Sequence, residues 1–318
     1  MDDIFYYVLN MSLSSIIVIA VLALVRLIRP LPRRIVYPLW SLAFLRLVLP
    51  FALSTRWSIF NFTGKLVKRL ISVETILQDN RPVRMPERIT VMNMIGAAES
   101  YAPIEYKTES LHGFFTICSI IWAIVVIALL TAASILYLLT VSELKKAILV
   151  KDNIYRSGML LSPVLAGLFR ARIILPEGLD PDSPEGRMVI AHENVHRKRL
   201  DNLWRIIAIS VACIHWFNPA VWFMLKMFFT DMELSCDERV MAEGGFGTED
   251  RKAYARTLLN YSEEKGFLVS TAFGQSGIKV RIVNVLNYKR LTVIGAVASS
   301  IFLLILVLLL VTNPGIGG

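Results

Sequence analysis

Long apolar stretches dominate this chain and restrict it to folds in which several helices lie in lipid. A helix that crosses the hydrocarbon core of a bilayer needs about 20 mostly apolar residues. Ile4 to Leu27, Gly113 to Val141 and Val293 to Val311 each meet or nearly meet that requirement. With 55% hydrophobic and 19% charged residues, the chain is also more apolar than soluble proteins, in which about 25% of residues are charged. These features exclude a water-soluble single domain, a disordered chain and a collagen-like chain.

A further span is predicted at Ile35 to Leu53, which is apolar except for Arg46. A charged side chain inside a bilayer is costly unless it faces other helices or reaches the headgroup layer. We therefore expect Arg46 to pair within the helix bundle or to extend towards the headgroups. The predicted fold class is mainly α, a polytopic four-helix membrane protein.

Positive charge in short loops predicts the orientation of the spans, because Lys and Arg near membrane helices stay in the cytoplasm. The turn between the first two spans carries four arginines and no acid: Arg26, Arg29, Arg33 and Arg34. Residues 1–53 then form two spans with a cytoplasmic turn, 54–112 an extracellular loop, 113–141 the third span, 142–289 a cytoplasmic domain, and 290–318 the fourth span with a short outer tail. Both termini lie outside. The net charge is +9, and the basic residues are spread along the flanks of the predicted spans. Since the sequence has no nucleic-acid recognition motif, the expected partner is the lipid bilayer and not nucleic acid.

The cytoplasmic segment has α+β signals. Short β-leaning runs at Ile154 to Ser157, Val164 to Leu168 and Arg172 to Leu175 predict a sheet of two or three strands. Ser183 followed by Pro184 is typical of a helix start, and the helix is predicted to run to about Leu200.

That helix contains His192-Glu193-Asn194-Val195-His196. Residues four apart lie about 40° apart around a helix and about 6 Å along it, so both imidazoles can reach one metal ion. Glu193 is displaced by about 100° from His192 and is better placed to hold a water than to bind the ion. Neutral imidazoles suit Zn²⁺, and a catalytic zinc site has three protein ligands and one open position. The motif predicts a zinc peptidase with His192 and His196 as ligands and Glu193 as general base.

Glu233 is the favoured third ligand, in a predicted helix over 231–240. Cys236 lies on the same helix face and is the rival ligand, although a buried cysteine more often packs as a small apolar residue. His215 is a weaker rival. Asp237 is predicted to orient a ligand histidine by accepting its second ring proton.

The apolar segment from Leu203 to Phe229 is divided by His215-Trp216-Phe217-Asn218-Pro219 into two pieces too short to span a bilayer. Two interpretations stay open. One is a helical hairpin that dips into the inner leaflet or packs against the spans, and the other is an ordinary hairpin in the domain core.

These motifs together resemble the BlaR/MecR-type membrane metallopeptidases of bacterial β-lactam signalling. The resemblance rests on the motif at 192–196, the run at 215–219, Glu233-x-x-Cys236-Asp237 and the predicted strand pair around Ser162-Pro163 and Gly167 to Arg170. It implies a gluzincin-like zinc metallopeptidase domain between the third and fourth spans of a bacterial cell-membrane protein. It also implies His192, His196 and Glu233 as zinc ligands, Glu193 as the base, and a cytoplasmic transcriptional repressor as substrate.

Sensor-bearing relatives continue after the fourth span into a penicillin-binding domain, whereas few residues follow Val311 here. We expect either a relative without that sensor or a truncated longer protein, and a homodimer or a separate sensor protein as partner is left open. The family also suggests self-cleavage, which we place near Ala272 and Phe273. The alternatives are an HtpX-type quality-control zinc protease and a non-catalytic membrane receptor or scaffold.

Overall fold

The structure is a computed structural model that describes residues 2–28, 31–49, 54–55, 57–60, 109–244, 247–263, 277–289 and 292–314. It divides into two compact units. The first comprises residues 1–22, 41–124 and 297–318, and the second comprises residues 23–40 and 125–296.

Helices make up most of the described chain. They are α1 (Asp2–Arg26), α2 (Arg33–Val48), α3 (Glu109–Leu144), α4 (Pro184–Arg199), α5 (Asp201–Ile214), α6 (Pro219–Gly244), α7 (Thr248–Glu263), α8 (Ile278–Leu286) and α9 (Val293–Val311). The strands are β1 (Ser54–Thr55), β2 (Ile148–Lys151), β3 (Ile154–Ser157), β4 (Val164–Ala166), β5 (Arg172–Pro176) and β6 (Asn313–Pro314).

Within the described residues, three helices are long and apolar enough to cross a membrane: α1, Gly113–Leu144 of α3, and Ile294–Val311 of α9. They correspond to the three clearest predicted spans. Within the predicted span at Ile35 to Leu53, α2 has 16 residues and ends at Val48, and residues 50–53 lie outside the described residues. The four-span topology stays a prediction.

Arg46 lies in the first unit and is almost completely buried. Its guanidinium donates to the carbonyl oxygens of Leu310 at 2.9 Å and Thr312 at 2.6 Å, and to Oδ1 of Asn313 at 2.6 Å. Carbonyl groups in the last turn of a helix have no partner within that helix, so Arg46 caps the carboxyl end of α9. This confirms the expectation that it faces other helices. β1 and β6 pair in parallel just after the carboxyl end of α9.

The second unit contains a four-stranded sheet in the order β2-β3-β5-β4. β3 and β5 pair in parallel, and β2 and β4 are antiparallel edge strands. The apolar run Ile173-Ile174-Leu175 lies in β5 and is buried, as is typical of a strand covered on both faces. Three of the strands match predicted runs. The prediction of two or three strands was wrong by one, because β2 follows the end of α3 without a clear strand boundary.

The helix predicted from Ser183 is confirmed as α4. The hydroxyl of Ser183 accepts a hydrogen bond from the backbone N–H of Gly186 at 2.9 Å, and Pro184 occupies the first turn. After α4, the hairpin is formed by α5 and the first half of α6, with the turn at residues 215–218. α6 continues through the predicted 231–240 helix as one element of 26 residues. Whether the hairpin contacts lipid stays a prediction.

A buried cluster joins α4, α6, α7 and α8. It contains Val195, Cys236, Val240, Met241, Tyr254, Val285 and Tyr288. Burial of such side chains stabilises by about 25 cal/mol per Å² of apolar surface removed from water. This packing brings four helices together around the histidines of α4.

Candidate metal centre

The two histidines of α4 point at a common place. Both side chains are buried, and Nε2 of His192 lies 3.1 Å from Nε2 of His196. The separation of four residues along one helix accounts for this convergence. Two nitrogen lone pairs can therefore be offered to one ion.

The second ring nitrogen of His196 is held by Asp201. Nδ1 lies 2.6 Å from Oδ2 of Asp201, whose side chain is fully buried. A carboxylate oxygen can accept the hydrogen bond of Nδ1–H, and in that neutral tautomer Nε2 keeps its lone pair. Leu200, between α4 and α5, has a left-handed backbone with φ of 55°. This turn brings Asp201 back beside His196.

His192 is held in a similar way by Asp237 and Tyr254. Its Nδ1 lies 2.9 Å from the hydroxyl of Tyr254 and 3.2 Å from Oδ1 of Asp237. The Tyr254 hydroxyl in turn donates to Oδ1 of Asp237 at 2.8 Å. Both neighbours can accept the Nδ1 proton, and in that neutral tautomer Nε2 keeps its lone pair. Asp237 thus lies beside the second ring nitrogen of His192, and the orienting role of this acid stays a prediction.

Glu233 reaches the same place from α6. Its Oε2 lies 3.5 Å from Nε2 of His192 and 3.7 Å from Nε2 of His196. Ligand atoms of a tetrahedral zinc ion are separated by roughly 3.3–3.6 Å, given bond lengths of about 2.0–2.2 Å. The two nitrogens and this oxygen therefore have separations close to those of three zinc ligands. The other oxygen, Oε1, accepts from Nη2 of Arg205 at 2.6 Å.

Cys236 forms a second arrangement with the histidines. Among the described residues, donor atoms of His192, His196 and Cys236 all lie within 4.8 Å of one another. However, Sγ of Cys236 lies 3.4 Å from Nδ1 of His192 and 3.4 Å from the carbonyl oxygen of the same residue. The thiol is thus next to the His192 nitrogen that faces Asp237, and it also interacts with the His196 side chain. For an ion bound to Nε2 of His192, the position of Glu233 is therefore more suitable than the position of Cys236.

Arg281 of α8 places a positive charge beside these acids. Its guanidinium donates to both oxygens of Asp237 at 2.8 Å, and its Nη1 lies 3.3 Å from Oε2 of Glu233. Burial alone would raise the pKa of Asp237, but Arg281 and His192 lower it to about 2. Burial likewise opposes ionisation of Glu233, and His196 and Arg281 hold its pKa well below the usual range. Both carboxylates are therefore ionised at neutral pH.

The other predicted site residues have simpler surroundings. Glu193 is half-buried, and its carboxylate has neither a hydrogen bond nor an ion pair within the described parts of the chain. His215 is buried in the turn after α5 and is not part of the grouping around His192 and His196. Ala272 and Phe273 lie outside the described residues.

Three residues that contact the histidines were not predicted from the sequence: Asp201, Tyr254 and Arg281. An aspartate five positions after the second histidine, next to a helix end, is a weak signal that could have found Asp201. Tyr254 and Arg281 lie 62 and 89 residues from His192. Nothing in the local sequence predicts such distant contacts.

The sequence matches the family described as BlaR1 peptidase M56 over residues 6–285. The chain belongs to this peptidase family. The resemblance to BlaR/MecR-type proteins is thereby confirmed. Membership of this family suggests a metal ion, and a donor set of imidazoles, carboxylate and thiol is chemically suited to hold one.

Two kinds of M56 relative are similar to this chain. It is 33% identical over 172 residues to the regulatory protein BlaR1 of Bacillus licheniformis, a match that covers 51% of this chain and 28% of BlaR1. It is 30% identical over 82 residues to the methicillin resistance mecR1 proteins of Staphylococcus aureus and Staphylococcus epidermidis. That match covers 25% of this chain and 14% of each mecR1 protein. The matched region is thus less than a third of either kind of relative.

Proposed function

We propose that this chain is a zinc metalloendopeptidase that acts in signalling across the bacterial cell membrane. One observation carries the proposal. Two Nε2 atoms and one carboxylate oxygen lie 3.1–3.7 Å apart, while a buried aspartate adjoins the opposite nitrogen of each histidine. In this proposal His192, His196 and Glu233 hold the ion.

Bound Zn²⁺ would supply a Lewis acid that makes a water more acidic and polarises a peptide carbonyl. The protein side chains provide the rest. Glu193, on the same helix as both histidines, accepts the proton of the attacking water at a carboxylate oxygen and later gives it to the leaving amine. Asp201 and Asp237 keep the imidazoles in the tautomer that presents Nε2.

The substrate we propose is a cytoplasmic transcriptional repressor, as in β-lactam resistance regulation or a related response. The regulatory and resistance roles in the names of the BlaR1 and mecR1 relatives support this choice. The arginine-rich turn between the first two predicted spans supports a cytoplasmic peptidase domain with both termini outside.

The extended substrate is proposed to add to the edge of the sheet at β4. This strand forms one edge, and α4, which carries the zinc-binding motif, packs against it. Strand addition supplies main-chain hydrogen bonds without requiring a particular sequence. Asn202 donates to the carbonyl oxygens of Leu165 at 2.7 Å and Gly167 at 3.0 Å. A substrate strand that uses these carbonyls must displace the Asn202 amide.

The proposal is tested with Glu193→Gln in the full chain, with Glu185→Gln in the first turn of the same helix as the matched control. Zinc content is measured by elemental analysis, and cleavage is followed on gels with candidate cytoplasmic repressors. We expect the Glu193 variant to retain zinc and lose cleavage, and the Glu185 variant to keep both. Cleavage by the Glu193 variant would refute the role of the base. A wild-type protein without zinc would instead favour a receptor or scaffold, and cleavage of unfolded membrane proteins in general would favour quality control.

Self-cleavage near Ala272 and Phe273 is a separate proposal. It follows from the small-residue composition of this stretch, which is typical of sites of proteolytic nicking. The wild-type chain should yield two fragments that the Glu193→Gln variant does not produce. An intact wild-type chain after prolonged activation would contradict it.

A further inference from the structure

The start of α2 belongs to the same compact unit as the metal centre, and two buried acids of α6 hold it there. Asp231 accepts from the indole N–H of Trp40 at 3.0 Å. Glu238 accepts from the backbone N–H groups of Arg33 and Arg34, at 3.0 Å each. These N–H groups belong to the first turn of α2, where they have no partner within the helix. α6 therefore fixes both the beginning of α2 and its first two turns.

Tyr37 lies between these two attachments and contacts the acid that holds His196. Its hydroxyl donates to Oδ1 of Asp201 at 3.1 Å. The phenol ring stacks on the Phe228 ring, with 5.3 Å between the two centroids. The guanidinium of Arg199 lies over the Tyr37 ring, 4.4 Å from its centroid. Stacking and cation–π contact hold the ring in one orientation. The direction of the hydroxyl is thereby set by the place of Tyr37 on α2 and by its contacts with α4 and α6.

The Asp201 carboxylate thus joins α2 to the histidine. One oxygen, Oδ2, lies 2.6 Å from Nδ1 of His196, and the other accepts from Tyr37. Arg199 also contacts this carboxylate, with Nη2 at 3.0 Å from Oδ2 and Nε at 3.2 Å from Oδ1. Because a carboxylate is planar, a change in the partner of Oδ1 rotates Oδ2 as well. The orientation of the His196 ring then depends on Tyr37.

We propose that Tyr37 is a positioning residue of the metal centre, which couples the position of α2 to metal binding through Asp201 and His196. The inference rests on the proposed function, since it requires His196 to bind the ion. An open groove of about 620 Å³ is lined by Tyr37, Pro38 and Arg199 at this point. A movement of the second predicted span would weaken the hydrogen bond between Tyr37 and Asp201 and thereby weaken the binding of the ion by His196.

The experiment compares Tyr37→Phe with Trp40→Phe in the full chain. Each variant removes one hydrogen bond from α2 to a buried acid, but only Tyr37 contacts Asp201. The rate of zinc release to a chelator and the visible absorption spectrum of the Co²⁺-substituted protein are measured. Residues that orient metal ligands contribute about 10- to 100-fold to metal affinity. We expect zinc release about tenfold faster in Tyr37→Phe with an altered Co²⁺ spectrum, and less than a twofold change in Trp40→Phe.

A double variant shows whether Tyr37 acts through Asp201. Asp201→Asn alone should accelerate zinc release by about 10- to 100-fold. Adding Tyr37→Phe to it should have no further effect, since residues that act in one chain of contacts are not additive. Additive effects, an unchanged release rate in Tyr37→Phe, or equal effects of Tyr37→Phe and Trp40→Phe would each overturn the inference. If the wild-type protein binds neither metal, the proposed function fails and the inference with it.

Discussion

The choice between Glu233 and Cys236 as third ligand leads to the sharpest prediction. Both side chains lie on α6 near the histidines, but they approach different atoms of the His192 ring. Oε2 of Glu233 is 3.5 Å from Nε2 of His192, whereas Sγ of Cys236 is 3.4 Å from Nδ1 of the same ring. Glu233→Gln removes the negative charge with little change in volume. Cys236→Ala removes the thiol.

The size of the effect follows from the number of ligands. Structural zinc sites with four protein ligands bind with about 10–16 kcal/mol, so one ligand contributes roughly 3 kcal/mol. Since about 1.4 kcal/mol corresponds to a factor of ten, Glu233→Gln should weaken zinc binding by about 100-fold or more. Cys236→Ala should change it by less than about tenfold, because on the His192 ring the thiol lies next to Nδ1 and not next to the proposed ligand atom Nε2.

Zinc affinity is measured by competition with a chromophoric chelator on the purified full chain, and thermal unfolding confirms that each variant is folded. Arg281 keeps its bidentate contact with Asp237 in both variants, so no buried guanidinium is left without a partner. A larger loss of affinity in Cys236→Ala than in Glu233→Gln would refute the reasoning and assign the third position to the thiol.

Three further predictions concern stability, each measured as thermal unfolding in detergent. Arg281→Met leaves Asp237 as a buried charge without its main partner and should lower the free energy of unfolding by about 3–5 kcal/mol. The control is Arg239→Met, which removes an exposed ion pair and should lower it by at most about 0.5 kcal/mol. Equal losses of stability in the two variants would contradict this prediction. Ser183→Ala removes the N-cap of α4 and should cost about 1 kcal/mol, and a neutral result would show that Pro184 suffices to start the helix. Arg46→Met removes hydrogen bonds to the end of α9 and should cost about 2 kcal/mol or more, while an unchanged melting temperature would argue against this cap.

Much of the helical part of the fold could be predicted from sequence because the signals are local. Apolar stretches long enough to cross a bilayer identified α1, the apolar part of α3, and α9. Ser183-Pro184 marked the start of α4, and the spacing of His192 and His196 placed both imidazoles on one side of that helix. Each of these features depends on neighbours within a few residues, so composition and spacing suffice to predict it.

The sequence indicated Glu233 and Asp237 as neighbours of the histidines, whereas the contacts themselves and the other neighbours were decided by tertiary structure. Glu233, Tyr254 and Arg281 come from three other helices, and only the packing of α4, α6, α7 and α8 brings them within hydrogen-bonding distance of the ring atoms. The contact of Tyr37 with Asp201 spans 164 residues. No sequence period encodes a contact of that kind, because it depends on how whole helices pack and not on which residues are adjacent in the chain.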